Sequence, residues 1–241
     1  PGAGMIPAVA FSVPAATMQG WSRHLANHGI AFETHTRFGE PVIAFPDPHG
    51  LGLELVGVPT AAQSTGPPGN APPINGFHSA TLLVNRLAPT RQVIADVMHM
   101  APAGQEGTRH RFTMQDPTAP GHLLDVVADP GATAGVAGAG TVHHMAFRTN
   151  DSQMQLAWQR HLRANGLAVT DVRDRKYFKS IYFNEPGGIL FEIATDPPGF
   201  TIDEAPHELG SELQLPAQYE NLRRQLADRL PPLNAPKRRT G

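Results

Sequence analysis

His143, His144 and Glu192 form the sharpest constellation for metal chemistry in this 241-residue sequence. A site with two histidines and one carboxylate needs three ligands on one face, with open positions opposite for oxygen and substrate. A sheet can supply that, because ligands project from neighbouring strands toward one side. Neutral imidazole and carboxylate suit Fe(II), Mn(II), Zn(II) or Ni(II), and the residues alone do not choose among them. A histidine on a strand is more often a hydrogen-bonded structural residue, and a glutamate near a strand end is more often solvated. The metal reading therefore needs support from the elements that place these side chains.

An internal repeat supplies it. Trp21, Leu25 and Gly29 recur as Trp158, Leu162 and Gly166, and Ala10-Phe11 recurs as Ala146-Phe147. Pro48, Gly50 and Glu54 recur as Pro186, Gly188 and Glu192, and the offset is nearly constant throughout. A weaker copy lies between them, from Phe77-His78-Ser79-Ala80-Thr81-Leu82 through Asp116-Pro117 to Gly121 and Asp125. His144 corresponds to Ala8 in the first copy and to Ser79 in the middle one. Glu54 and Asp125 thus persist without a histidine partner and read as structural remnants. His78 aligns with His143, one residue out of step, and a one-residue shift in a strand points to the other face. The other histidines show no ligand-like spacing and read as surface or packing residues.

Each copy reads as β-α-β-β-β, an α+β architecture of repeated modules forming curved mixed sheets. In the last copy the opening strand is expected over 142–149, with His143-His144 at its start. Asn150 or Asp151 caps a helix on which Met154, Trp158, His161 and Leu162 share a face, and Gly166 ends it. Strands follow near 169–173, 180–183 and 189–194, with Glu185-Pro186-Gly187-Gly188 turning between the last two. The modules run 1–58, 76–128 and 141–196, joined by Pro/Gly-rich linkers at 59–75 and 129–140. A C-terminal tail, 197–241, is extended at first. It ends in a helix over 217–230 whose Leu222, Leu226 and Leu230 form a stripe expected to dock on the body. Three modules are an odd number, and a half-open sheet leaves an exposed edge. A fourth module is therefore expected before Pro1.

Composition narrows the function. Apolar residues make up 40% of the chain, enough for a core. Lys+Arg 19 against Asp+Glu 21 argues against a nucleic-acid binder, and the one basic cluster, Lys237-Arg238-Arg239, reads as a tail. The sequence has no cysteine, which excludes disulfides, thiolate sites and Cys nucleophiles. No apolar run approaches the roughly 20 residues of a membrane span. Phosphate-loop, dinucleotide-binding and nucleophile-elbow motifs are missing.

Val142-His143-His144-Met145-Ala146-Phe147-Arg148, Asp174-Arg175-Lys176-Tyr177-Phe178-Lys179-Ser180-Ile181-Tyr182-Phe183 and Glu185-Pro186-Gly187-Gly188-Ile189-Leu190-Phe191-Glu192-Ile193-Ala194-Thr195-Asp196 resemble the hydroquinone-type ring-cleaving dioxygenases of the vicinal-oxygen-chelate, or glyoxalase-like, superfamily. Pro197-Pro198-Gly199-Phe200, Glu208-Leu209-Gly210, Leu215-Pro216 and Arg37-Phe38-Gly39-Glu40-Pro41-Val42 extend the resemblance over essentially the whole chain.

That resemblance implies four βαβββ modules and one Fe(II), with Mn(II) or Zn(II) as other metals. It implies His144 and Glu192 as two of three metal ligands and His143, Arg175 and Tyr182 as catalytic residues. The third ligand of the family is a histidine in a first module that has no counterpart here. The three modules thus correspond to the family's second, third and fourth. His143 can hydrogen-bond near the metal or a substrate oxygen. Arg175 can stabilise a phenolate, and Tyr182 can donate to bound substrate or oxygen. The implied reaction is extradiol-like opening of a small hydroquinone-like aromatic by O₂, in a reducing cytoplasm, without nucleic acid or membrane, in a monomer or a homo-oligomer. Two other functions share the fold: a glyoxalase-type lyase or isomerase using Zn(II) or Ni(II), and a metal-free small-molecule-binding protein.

Overall fold

The computed structural model describes residues 2–59, 73–116 and 118–231. Most of the expected 59–75 linker and the terminal Lys237-Arg238-Arg239 lie outside the described residues. The chain forms two compact units: one holds the residues up to Met145 with His161–Ala168 and Phe183–Phe191, the other Ala146–Arg160, Val169–Tyr182 and the residues from Glu192 on.

The first repeat comprises β1 (Met5–Pro14), α1 (Met18–Asn27), β2 (Glu33–Arg37), β3 (Glu40–Pro46) and β4 (Gly52–Val58). Trp21 and Leu25, a helical turn apart on one face of α1, are buried with Val13, Ile43 and Leu55. Ala10, Val42 and Val56 form a separate buried cluster. The neighbours Val42/Ile43 and Leu55/Val56 divide between the two, as the alternation of a pleated strand demands. Phe38 and Gly39 join β2 to β3 with φ of 49° and 79°, both positive, the backbone of a tight hairpin turn that follows sheet twist.

The second repeat comprises β5 (Gly76–Val84), α2 (Leu87–Arg91) running into a π-helical turn at Gln92–Val97, then β6 (Ala101–Glu106), β7 (Arg109–Thr113) and β8 (Leu123–Ala128). The two repeats share one eight-stranded sheet of order β2-β3-β4-β1-β5-β8-β7-β6. β1 runs parallel to β4, β5 runs parallel to β8, and β1 and β5 meet antiparallel. The seam thus joins the opening strands of two like modules, each covering the other's edge.

The last repeat comprises β9 (Met145–Thr149), α3 (Ser152–Ala164), β10 (Arg173–Asp174), β11 (Lys179–Asn184) and β12 (Leu190–Thr195), in a second sheet of order β10-β11-β12-β9. Asp151 Oδ1 accepts the Met154 N–H at 2.8 Å, which satisfies one of the free amides of the first helical turn. The opening strand is shorter than its sequence suggests. It starts at Met145, so His143 and His144 precede it rather than open it. β10 is likewise only two residues long.

The tail forms a 3₁₀ turn at Ala217–Leu222 and α4 (Arg223–Arg229). Its expected stripe is only partly covered: Leu226 is half-buried, while Leu222 and Leu230 are 37% and 48% exposed. A helix so short and so rich in arginine carries too little apolar surface to be held down. Among the described residues no helix is long and apolar enough to cross a membrane, which leaves β-barrels untouched.

Candidate active site

Glu192 lies on β12 and is 2% exposed. Its Oε1 accepts hydrogen bonds from the Ser180 hydroxyl and from Tyr182 Oη, the latter at 2.9 Å. Ser180 and Tyr182 are two apart on β11, and the period of two brings both hydroxyls to one face. The Arg175 guanidinium lies 5.5 Å from the centre of the Tyr182 ring, within cation–π range. Arg175 itself is exposed. His143 is exposed and His144 half-buried, and their Nδ1 atoms are 2.8 Å apart. One ring must therefore donate to the other. Sequence reasoning missed Ser180, whose meeting with Glu192 depends on the register of β11 against β12.

The loop bearing Arg175 is latched to the tail. Asp203 accepts from Tyr177 Oη at 2.8 Å and pairs with Lys176 Nζ at 2.6 Å, and Lys176 Nζ also donates to the Leu215 carbonyl. The Lys176 ammonium, with the Tyr177 hydroxyl, holds the Asp203 carboxyl below its ordinary pKa.

The repeat-equivalent carboxylates have other partners. Arg37 donates from Nη1 and Nη2 to both oxygens of Glu54, at 2.5 and 2.9 Å. Asp125, fully buried, accepts from Arg111 Nε and Nη2 and from Arg109 Nη1. Arg111 reaches on to Glu40 at 2.8 Å, and Glu40 also meets His78 Nε2 at 3.3 Å. Guanidiniums therefore neutralise Glu54 and Asp125, which gives these acids a structural role. His78 is buried and also bonded to Ser79 Oγ. A cleft of about 440 Å³ on β2–β4 is lined by Glu33, Ala44, Phe45 and Glu54 and contains none of the candidate residues.

As metal donors the imidazole of His144 and the buried carboxylate of Glu192 fit a divalent first-row ion in kind. In number they fall short: among the described residues no group of three His, Cys, Asp or Glu could hold a metal ion.

Paired βαβββ modules with a carboxylate on the last strand define a class, and sequence comparison names it. The Glyoxalase/Bleomycin resistance protein/Dioxygenase superfamily model matches residues 20–193, and the chain belongs to that superfamily. Its relatives include a Bacillus subtilis (strain 168) protein that carries the name ring-cleaving dioxygenase MhqO, 41% identical over 234 residues, spanning 96% of this chain and 74% of the relative. The chlorohydroquinone/hydroquinone 1,2-dioxygenase of Sphingobium indicum is 35% identical over 240 residues, spanning 93% of this chain and 72% of that protein. A crystal structure of a Bacillus subtilis protein described as a dioxygenase superposes with a TM-score of 0.90 at 40% identity, covering 96% of this chain and 75% of the other. The glyoxalase-like α+β fold read from the sequence is therefore the fold of this chain.

Proposed function

We propose that this chain is the greater part of a cytoplasmic Fe(II)-dependent dioxygenase that opens a hydroquinone-like ring with O₂. The observation that carries the reading is the near-whole-chain relationship to proteins named for ring cleavage, one of them for hydroquinones. The hydroxyl-lined, buried Glu192 supports it. The modules are taken as 1–58, 76–128 and 141–196, with 197–241 as the tail. His144 and Glu192 would hold iron with a third protein ligand from outside this sequence. β9 is an edge of its sheet, whereas its counterparts β1 and β5 pair with each other, so a further module has a place to join.

Bound ferrous iron supplies redox coupling between a phenolate and O₂. In the overall reaction the O–O bond and one ring C–C bond break, both oxygen atoms enter the product, and the ring supplies the electrons. The chain's own residues do the rest. Ser180 and Tyr182 fix the Glu192 carboxylate by charge-assisted hydrogen bonds. His143 orients the His144 ring through their shared hydrogen bond. Arg175 offers a cation to a substrate anion.

The test is O₂ uptake by the complete natural chain, loaded anaerobically with Fe(II) and given a substituted hydroquinone. Stoichiometric O₂ consumption with a ring-opened product is expected. Activity with Zn(II) or Ni(II) alone, toward a thiol adduct, would establish the lyase instead.

A further inference from the structure

Arg175 holds in the last repeat the register position that Arg37 holds in the first. The offset between the two arginines equals that between Glu54 and Glu192. Arg37 is paired across its hairpin with Glu40, and the Arg175 N–H donates to the Phe178 carbonyl at the matching position, closing the same turn. The next residue in each turn has a positive φ, 49° at Phe38 and 69° at Lys176. The following hairpins also match, Asp47 N–H bonding to Leu51 O and Glu185 N–H to Ile189 O. The same side chain thus leaves the same backbone beside the same acid, and it behaves differently.

Arg37 closes on Glu54 as a bidentate pair. Nothing blocks it, because the residue paired across from Glu54 is Ala44, a methyl group. The counterpart of Ala44 at that same offset is Tyr182. Its ring lies beneath the Arg175 guanidinium and its hydroxyl occupies Glu192 Oε1. In the middle repeat the residue paired across from the acid is Arg111, itself bonded to Asp125. Of the three residues opposite a carboxylate, one admits an arginine, one is an arginine, and one is a tyrosine carrying the arginine on its face.

A guanidinium bonded to both oxygens of Glu192 would cancel its charge and compete directly with a divalent cation. We propose that Tyr182 is a positioning residue that holds Arg175 away from Glu192, so that this guanidinium does not compete with a cation for the carboxylate. This rests on Glu192 being a metal ligand.

The test combines crystal structures with Mn(II) titrations of the complete chain, followed by the free Mn(II) resonance signal. In Tyr182→Ala, Arg175 is expected within about 4 Å of Glu192, as an ion pair, and Mn(II) affinity is expected to fall about tenfold or more. Tyr182→Phe keeps the ring and should keep Arg175 off Glu192, so it should lose less affinity than Tyr182→Ala, and only what the missing hydroxyl contributed. Tyr182→Ala with Arg175→Ala should recover most of the loss. If Arg175 stays off Glu192 in Tyr182→Ala, or if removing Arg175 restores nothing, the proposal is overturned. Should Tyr182→Ala fail to fold, Tyr182→Thr, a residue at home in strands, carries the same comparison. A parent whose Mn(II) affinity is unmoved by Glu192→Ala sinks the ligand reading, and the position of Arg175 in the crystals still decides the steric claim.

Discussion

Gln155 on α3 and Met18 on α1 occupy equivalent helix positions, separated by the same offset as Trp158 and Trp21, yet one is a buried amide and the other a thioether. The Gln155 Nε2 donates to the carbonyls of Lys179 and Ile193, at 2.6 and 2.8 Å. These flank Ser180 and Glu192, so the amide sets the spacing of β11 and β12 where the hydroxyl must reach the carboxylate. Its Oε1 is buried and has no hydrogen-bond partner among the described residues, a cost of about 1–3 kcal/mol. In the first repeat, a side chain at Gly57 would strike Met18 and Pro41. The counterparts of Gly57 and Pro41 in the last repeat are Thr195 and Lys179, whose Oγ1 and N–H are bonded at 3.0 Å. Gln155→Met removes the unpaired oxygen but also the donor to two carbonyls, so it should still fold while losing about 1–3 kcal/mol. Amide exchange at residues 180–182 and 192–194 should quicken about tenfold or more. Native-state hydrogen exchange checks both, and unchanged protection in these strands would sink the idea.

The Arg37–Glu54 pair sets a second expectation. Both side chains are about nine-tenths buried, and Arg37 Nη2 also donates to His35 Nε2 at 3.1 Å. Arg37→Ala strands a buried carboxylate and should cost about 3–5 kcal/mol. Arg37→Met combined with Glu54→Leu removes both charges and should return most of that. Urea unfolding of the three proteins measures the difference; equal losses in the single and double variants would contradict the assignment.

Glu40 links stability to pH. Burial raises its pKa, but the hydrogen bonds and charges of His78 and Arg111 outweigh this, so the net shift is downward. A carboxylate lowered in the folded state contributes stability that is complete above its unfolded value, about 4.3, and is lost as pH falls through the folded value. Glu40→Gln should be less stable than the parent at pH 7. The gap should narrow as pH drops below about 4. Thermal melts of both proteins from pH 7 to pH 3 test this, and a gap that stays constant or widens under acid refutes it.

The fold was legible because repetition is visible in apolar spacing and glycine position. Trp21/Trp158 and Gly29/Gly166 fix the two helices and their ends, and Glu185-Pro186-Gly187-Gly188 fixes the hairpin that sets up Glu192. The site was legible only as residue types. Ser180 beside Glu192, Arg37 on Glu54 and Arg111 on Asp125 are cross-strand meetings. They depend on register between strands, which a periodicity of two along one strand does not reveal. The start of β9 escapes the sequence because Val142-His143-His144 has strand-like composition, whereas pairing with a neighbour decides where a strand begins. The stripe on α4 is apolar yet only Leu226 is half-buried, because periodicity shows a face without showing what covers it.

The metal assignment takes His144 and Glu192 and leaves out His78, which the sequence already places one residue out of step. His144→Ala and Glu192→Ala should each lower Fe(II) affinity of the complete chain by about a hundredfold or more, since each would remove a direct ligand where outer partners cost 10–100-fold. His78→Ala should leave iron binding nearly intact, because His78 is spent on Ser79 and Glu40. It should instead lower stability by about 1–3 kcal/mol, by leaving buried polar partners unpaired. Anaerobic iron titration and urea unfolding give the two readouts for each variant. Iron retained in full by Glu192→Ala would remove Glu192 as a ligand, and iron lost in His78→Ala without a change in stability would make His78 one.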